Sequence, residues 1–296
     1  MSQPAITSRF HTSADGLKLH LRDYVPVQAH HGLPVVCLPG LARTADDFDA
    51  LARALASGAC GGLARRVLAI DYRGRGLSDR DSDPKKYDLA IESADIQSML
   101  AAEGVTRAIV IGTSRGGIHA MLFAAFKPEL LAAVVLNDIG PVLEPAGLQR
   151  IKGYVGKLPQ PDSWEDAVAI FKRVSGAQFT GLSDEDWLAY ARLTLEEKDG
   201  RLVARYDPAL ARALDAYDPS KPMPDLWAQY EALASVPVLA IRGETSDLLS
   251  ADVFQAMLAR YPRAEGFTVP GQGHAPLLLD GPSIARICAF VGAITP

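Results

Sequence analysis

Residues 110–117 read Val-Ile-Gly-Thr-Ser-Arg-Gly-Gly, and the fold we predict follows from this stretch. An apolar run at residues 108–111 leads into it, and a helix-forming run begins directly after it at Ile118. Strand, Gly-x-Ser-x-Gly and helix, in this order, are the context of a nucleophile elbow. The turn is so tight that a side chain at either glycine would collide with the neighbouring strand or helix. We therefore predict that the elbow lifts the Ser114 hydroxyl into a cleft, the alternative being an ordinary structural turn.

A serine hydroxyl is a poor nucleophile at neutral pH and needs a general base. Of the six histidines, five lie in a polar loop, in the amino-terminal strands or on the helix after Ser114, and these are His11, His20, His30, His31 and His119. His274 differs, because it lies in Pro-Gly-Gln-Gly-His-Ala-Pro, residues 270–276, a glycine-rich loop after a predicted strand. Such a loop can curve a side chain over a neighbouring strand end, so we predict that His274 is the base.

A carboxylate should hold the imidazole in the correct tautomer, and three candidates follow predicted strands. Asp247 ends the turn after the apolar run 238–241, and it is our first choice. Glu244 lies nearer to the same strand. Asp138 follows the strand after the nucleophile helix, and its structural alternative is a capping carboxylate. The predicted chain order is then Ser114, Asp247, His274, with Asp138 as the alternative acid.

Short apolar runs alternate with helical patterns over most of the chain, as in a doubly wound, mostly parallel α/β sheet. The runs are residues 35–38, 67–70, 108–111, 133–136, 238–241 and 266–269, preceded by two antiparallel strands at 10–11 and 17–25. Between residues 141 and 234 the alternation stops and only helical patterns occur. We therefore predict a core formed by residues 1–140 and 235–296, with an inserted α-helical segment at 141–234. Trp164 and Trp187 of this segment are candidate substrate-binding residues.

Two further motifs accompany the elbow. Residues 35–41 read Val-Val-Cys-Leu-Pro-Gly-Leu, and residues 71–79 read Asp-Tyr-Arg-Gly-Arg-Gly-Leu-Ser-Asp. With these motifs the chain resembles the α/β-hydrolase superfamily over nearly its whole length. The first is similar to the family's strand and His-Gly oxyanion loop, with Pro39 in place of the histidine. The second resembles a structural turn of the family, to which we assign no chemistry.

The resemblance implies the α/β-hydrolase fold, with residues 141–234 as a cap (lid) over the site. It also implies that the backbone amides of Leu41 and Arg115 form the oxyanion hole. Losing one such donor typically costs about 3 kcal/mol of transition-state stabilisation. We expect no metal and no organic cofactor.

The mechanism we predict is acyl transfer through an acyl-enzyme, which makes the chain a serine hydrolase of a small carboxylic ester. Serine at 114, rather than aspartate, argues against the epoxide hydrolases and haloalkane dehalogenases of the superfamily. Arg43 or Arg115 could bind a carboxylate, although a surface salt bridge is the favoured reading of Arg115. An acidic ring-cleavage product, cut by a carbon–carbon bond hydrolase or a lactonase, is therefore the first alternative, and perhydrolase activity is also open. A non-catalytic ligand sensor with a hydrolase shell is an alternative of another class.

Composition limits the partners. The chain has 296 residues, 48% of them hydrophobic and 22% charged, with a net charge of −5. This balance is that of an ordinary globular protein and offers no basic field for nucleic acid or anionic membranes. The amino terminus lacks the segments of a signal peptide, so we expect a cytoplasmic location. The expected partner is a small-molecule substrate, with neither nucleic acid nor membrane, and self-association into a homodimer is left open.

Overall fold

In a computed structural model, the described part of the chain comprises residues 3–27, 32–59, 63–215, 217–218, 225–261 and 263–295. Two of the residues named above, His30 and His31, lie outside these ranges. None of the helices in the described ranges is long and apolar enough to cross a membrane.

Most strands belong to one eight-stranded sheet. The strands are β1 (Ala5–Thr12), β2 (Lys18–Val25), β3 (Val35–Leu38), β4 (Val67–Asp71), β5 (Ala108–Thr113), β6 (Leu131–Asn137), β7 (Leu195–Lys198), β8 (Arg201–Ala204), β9 (Val238–Gly243) and β10 (Ala264–Val269). Their order in the sheet is β1-β2-β4-β3-β5-β6-β9-β10. β2 pairs antiparallel with β1 and β4, and the other neighbours are parallel. The predicted doubly wound, mostly parallel sheet is confirmed.

Helices cover both faces of this sheet. They are α1 (Asp49–Ser57), α2 (Leu89–Ala102), α3 (Arg115–Phe126), α4 (Pro145–Tyr154), α5 (Trp164–Ser175), α6 (Asp184–Thr194), α7 (Trp227–Glu231), α8 (Ala251–Arg260) and α9 (Gly281–Gly292). Alternate side chains of a strand enter different cores: Val110 packs on the face of α2, α3 and α8, and Ile111 on that of α1 and α9. Since both faces are buried, the central strands contain continuous apolar runs, such as residues 108–111 of β5 and 131–136 of β6.

Residues 141–234, here called the insertion, add no strand to the main sheet in their described part. They form α4 to α7 and, against the prediction of helices only, the antiparallel hairpin of β7 and β8. Helix α6 ends at Thr194, and β7 begins at the next residue. The reason is the Asp199-Gly200 pair, whose φ values of 51° and 73° make the two-residue turn of a hairpin. Asp-Gly between two short runs was the sequence signal that the helical interpretation missed.

Candidate active site

Ser114 lies at a turn between the last residue of β5 and the first residue of α3, with φ at 50°. Its two flanking glycines are required by contact. A Cβ on Gly116 would lie 2.0 Å from the carbonyl oxygen of Leu38, and one on Gly112 would lie 2.4 Å from the Gly116 carbonyl carbon. The strand, turn and helix expected from residues 110–117 are therefore present, and only glycine fits on either side of the serine.

The Ser114 hydroxyl begins a hydrogen-bonded chain of three side chains. Its Oγ lies 2.9 Å from Nε2 of His274, and Nδ1 of His274 lies 2.8 Å from Oδ2 of Asp138. The Asp138 carboxylate is fully buried, and it also accepts hydrogen bonds from the Gly243 amide at 2.6 Å and the Ser246 hydroxyl at 2.5 Å. Three donors thus fix a carboxylate behind the imidazole, which leaves Nε2 facing the serine.

Neighbouring strand ends bring these groups together. Asn137, the last residue of β6, is in register with Ile241 of β9, and Asp138 follows with φ at 53°. The backbone amide of Asp138 donates to the Ile241 carbonyl at 2.8 Å. The loop that carries His274 passes against β9, since a Cβ on Gly243 would lie 2.4 Å from the Gly273 carbonyl oxygen. The ends of β5, β6 and β9 therefore supply or support all three side chains, as expected for the carboxyl ends of parallel strands.

The prediction that Asp247 orients His274 is wrong. Both carboxylate oxygens of Asp247 bind Arg150 of α4, at 2.6 and 2.8 Å from its guanidinium nitrogens. Asp247 lies four residues beyond the end of β9, and its side chain faces the insertion. Asp138, the alternative acid, lies one residue beyond β6 and faces the imidazole. The other rival, Glu244, accepts a hydrogen bond from the Gly271 amide at 2.8 Å.

Two side chains that support the site were not predicted from the sequence. Ser246 donates to Asp138, and its own oxygen accepts from the Leu249 amide at 3.1 Å. Gln178 of the insertion accepts a hydrogen bond from the His274 amide at 3.2 Å through Oε1. A serine one position before Asp247 was a signal for a capped turn, whereas nothing in the sequence distinguishes Gln178 from other glutamines.

The two amides expected to form an oxyanion hole lie beside Ser114. Gly40, which precedes Leu41, is so close that a Cβ on it would be 3.8 Å from the Ser114 Cβ. Arg115 is the first residue of α3, where an amide has no acceptor within the helix. Within the described ranges, neither the Leu41 amide nor the Arg115 amide donates a hydrogen bond to a protein acceptor outside a helix or strand. Both are therefore free to bind an anion.

A mainly apolar pocket opens above Ser114, between the core and the insertion. It encloses about 940 Å³ up to its open mouth. Its apolar lining from the insertion includes Ile151, Val155, Leu158, Phe171, Val174 and Phe179. Its polar lining includes Arg43, Asp47, Thr194 and three tyrosines, Tyr154, Tyr190 and Tyr206. A concave, mainly apolar lining with a few polar groups is typical of a small-molecule site.

Arg43, a predicted substrate-binding residue, lines this pocket but is already paired. Its Nε and one terminal nitrogen bind the two carboxylate oxygens of Asp47 at 2.6 and 2.9 Å. The other terminal nitrogen donates to the Thr194 hydroxyl at 2.5 Å, and the guanidinium lies over the Tyr190 ring. The Arg43–Asp47 pair has no net charge. It therefore offers hydrogen bonds to a ligand in the pocket but no net electrostatic attraction for an anion. Burial raises the pKa of Tyr154 to about 12, so this phenol stays a neutral donor.

The two tryptophans predicted to bind substrate do not line the pocket. Trp187 is buried in the core of the insertion, with its ring centre 6.1 Å from that of Phe179 and 6.0 Å from that of Tyr190. Trp164 packs on the edge of the same cluster, beneath Arg192. The prediction is wrong because both rings pack within the insertion. The sequence does not show whether an apolar ring of this segment faces the insertion's own core or the pocket.

The Arg115 side chain also does not enter the pocket. Its Nε donates to the Glu92 carboxylate at 2.6 Å, so the expected salt bridge is present, but it is buried and not at the surface.

Comparison with known proteins identifies the family of the chain. A family model described as the alpha/beta hydrolase family matches residues 35–283. The chain belongs to this family. The match includes the elbow, the acid that follows β6 and the histidine loop.

Relatives of this alpha/beta hydrolase include enzymes and solved structures. A 3-hydroxybutyrate-oligomer hydrolase of Cupriavidus necator is 33% identical over 258 residues, which cover 85% of each chain. An sn-1-specific diacylglycerol lipase of Mus musculus is 28% identical, over 81% of this chain and 74% of the lipase. A crystal structure of an alpha/beta hydrolase from Novosphingobium aromaticivorans is 40% identical, with a TM-score of 0.89, and covers 98% of this chain and 99% of that one. The protein is accordingly a hydrolase.

Proposed function

We propose that this alpha/beta hydrolase cleaves a carboxylic ester through an acyl-enzyme on Ser114. The observation that carries the proposal is the chain of hydrogen bonds from Ser114 through His274 to Asp138. It faces an apolar pocket and lies beside the amides of Leu41 and Arg115, for which the described residues provide no acceptor. A nucleophile, its base, an orienting acid and oxyanion donors are the groups that ester hydrolysis requires.

In the first half of the reaction, Ser114 Oγ attacks the ester carbonyl carbon while Nε2 of His274 accepts its proton. The carbonyl oxygen becomes an oxyanion and is held by the amides of Leu41 and Arg115. The tetrahedral intermediate then collapses, and the carbon–oxygen bond to the alcohol breaks. His274 returns its proton to the departing alkoxide, so an alcohol leaves and the acyl group stays on Ser114.

In the second half, His274 removes a proton from a water molecule that attacks the acyl carbon. The same amides hold the second oxyanion. Its collapse breaks the bond to Ser114 Oγ, which takes the proton back from His274, and the carboxylic acid is released. Asp138 accepts a hydrogen bond from Nδ1–H of His274 throughout, which fixes the tautomer and stabilises the imidazolium that forms twice in the cycle.

We propose further that the insertion acts as a cap, because its side chains form the apolar wall of the pocket opposite Ser114. Closing such a wall over the ester excludes water that does not take part in the reaction. Gln178 links the insertion to the histidine loop, because it belongs to the insertion and its side chain accepts a hydrogen bond from the amide of His274.

The substrate we favour is a neutral ester that also carries a hydroxyl or a further carbonyl group. Such a group would accept or donate hydrogen bonds at the polar end of the pocket, where Arg43 and Asp47 neutralise each other and Tyr154 and Tyr190 lie nearby. Oligomers of a hydroxy acid, the class named in the Cupriavidus relative, have this chemistry. An acidic ring-cleavage product is less favoured, because the positive charge of Arg43 is already balanced by Asp47.

The test is turnover of p-nitrophenyl butyrate, followed by a linear dimer of 3-hydroxybutyrate, with Ser114→Ala as the control. We expect a burst of nitrophenol, an acyl adduct on Ser114 by mass spectrometry of acid-quenched enzyme, and a loss of at least about 10³-fold in the variant. Binding of both compounds with no adduct would instead support the ligand-sensor alternative. Turnover of a β-diketone with no ester turnover would support the carbon–carbon bond hydrolase.

A further inference from the structure

The turn at residues 71–79, to which we assigned no chemistry above, contacts the loop that carries an oxyanion donor. The oxyanion loop is here residues 39–41. The Tyr72 hydroxyl donates to the carbonyl oxygen of Pro39 at 3.1 Å, and Nε of Arg75 donates to the carbonyl oxygen of Leu41 at 2.8 Å. Both side chains are almost fully buried, so neither hydrogen bond competes with water.

The two hydrogen bonds lie on either side of the Leu41 amide, the proposed oxyanion donor. Each peptide unit is a rigid plane that joins the carbonyl of one residue to the amide of the next. The Pro39 carbonyl belongs to the unit before the one that carries the Leu41 amide, and the Leu41 carbonyl belongs to the unit after it. Tyr72 and Arg75 therefore hold the planes on both sides of the donor plane, which leaves the Leu41 amide little freedom to rotate away from Ser114.

A buried carboxylate links this support to the second oxyanion donor. Glu92 of α2 binds a terminal nitrogen of Arg75 through Oε1 at 2.7 Å, and Nε of Arg115 through Oε2 at 2.6 Å. Glu92 has no exposed surface. Burial opposes its ionisation, but the charges of Arg75 and Arg115 outweigh burial and hold the pKa of Glu92 far below its usual range. The carboxylate is therefore charged, and it connects the support of the Leu41 amide to the residue that supplies the Arg115 amide.

We propose that Tyr72 and Arg75 are positioning residues of the oxyanion hole, and that Glu92 couples its two halves. This inference rests on the proposed ester hydrolysis, because it assigns the two amides to the oxyanion of that reaction. Catalysis of this kind depends on donors that are held in place before charge develops. The buried groups behind the loop thus act on the transition state without touching the substrate.

The first test is Tyr72→Phe, which keeps the ring and removes one hydrogen bond. Tyr230→Phe is its matched control, because Tyr230 is equally buried and its hydroxyl donates to the Met257 carbonyl at 3.0 Å, outside the pocket lining. For p-nitrophenyl butyrate we expect kcat to fall about tenfold in Tyr72→Phe, with KM within about twofold, which marks an interaction made in the transition state. The control should lower the melting temperature by a similar amount and leave kcat unchanged.

Arg75→Lys is the second variant. It keeps a charge beside Glu92 but loses the planar fork that also reaches the Leu41 carbonyl. We expect the same pattern, with kcat reduced about tenfold or more and KM little changed. The inhibition constant of an alkyl trifluoromethyl ketone, which forms a tetrahedral oxyanion on the serine, should rise by the same factor as kcat falls. If Arg75→Lys does not fold, Tyr72→Phe and its control decide.

The inference is overturned if Tyr72→Phe keeps the kcat of the unaltered enzyme, or if Tyr230→Phe loses as much. It is also overturned if the loss appears in KM alone, or if ketone affinity does not follow kcat. These results differ from a failure of the proposed function, in which the unaltered enzyme would turn over no ester, or Ser114→Ala would keep the ester turnover.

Discussion

The Asp138 carboxylate lies 2.8 Å from Nδ1 of His274, although 136 residues separate the two in the chain. The distance results from strand order, because β6, which precedes Asp138, lies directly between β5 and β9. The histidine loop follows β10 and returns over the end of β9, where Gly243 also donates to Asp138. An acid placed after β6 is therefore held by the next strand before it meets the imidazole.

Asp138→Asn should greatly reduce catalysis, whereas Asp247→Asn should leave it almost unchanged. The amide at 138 would disturb the tautomer and the stabilisation of the imidazolium, so we expect kcat for p-nitrophenyl butyrate to fall by about 10³–10⁴. Asp247→Asn removes only a partly exposed ion pair with Arg150. We therefore expect kcat to stay within a few-fold and the free energy of unfolding to fall by less than about 1 kcal/mol. Steady-state kinetics and urea unfolding measure both. A large loss of kcat in Asp247→Asn alone would contradict the geometry.

Asp47→Asn should alter the charge preference of the pocket. The substitution leaves Arg43 with a net positive charge at the pocket wall, so esters that carry a carboxylate should gain. Relative to p-nitrophenyl butyrate, we expect kcat/KM for the p-nitrophenyl half-ester of succinate to rise roughly tenfold or more, since a charged hydrogen bond contributes about 1.5–3 kcal/mol. Asp46→Asn is the control, because Asp46 binds Arg22 and Arg205 and does not line the pocket. An equal shift in both variants would refute this role of the pair.

Trp187→Phe should affect stability rather than substrate binding. Trp187 is 4% exposed and packs inside the insertion, so the smaller ring should lower the free energy of unfolding by about 1–3 kcal/mol. KM for p-nitrophenyl butyrate, measured well below the melting temperature, should change less than about twofold. Urea unfolding and steady-state kinetics check the two statements. A raised KM with unaltered stability would restore the substrate-binding role predicted from the sequence.

His119 should make stability depend on pH. Burial lowers the pKa of His119 below its ordinary value of 6.5, and the opposing hydrogen bond that its ring donates to the Glu92 carboxylate does not cancel this effect. The unfolded chain then binds a proton that the folded protein resists, so stability is complete above pH 6.5 and falls as the pH decreases below it. One such group contributes a slope of at most about 1.4 kcal/mol per pH unit. Urea unfolding at several pH values should give a shallower slope in His119→Gln, and parallel slopes would contradict the assignment.

Several features of the site could be predicted because they are encoded over a few neighbouring residues. The glycines beside Ser114 are imposed by contacts of the turn itself, and the glycine-rich loop of His274 is equally local. The strands of the sheet follow from continuous apolar runs, since both faces are buried. The β7–β8 hairpin was missed although its signal, Asp199-Gly200, is also local.

Other features depend on tertiary structure. Asp138 and Asp247 both follow apolar strands, and only the register of β6 on β9 and the direction of each side chain decide which carboxylate meets His274. The direction in which Trp187 faces depends on how the insertion packs. Arg43 is neutralised by a residue four positions away and bound by a threonine 151 positions away.

The nucleophile turn, the histidine loop and the sheet could be predicted from the sequence alone, because turn sterics and hydrophobic periodicity act within short segments. Three features are visible only in the folded structure. They are the acid that pairs with the histidine, the side chains that line the pocket, and the contacts of Tyr72 and Arg75 with the oxyanion loop. These depend on distances between segments far apart in the chain, and strand order and register fix such distances while no local pattern records them.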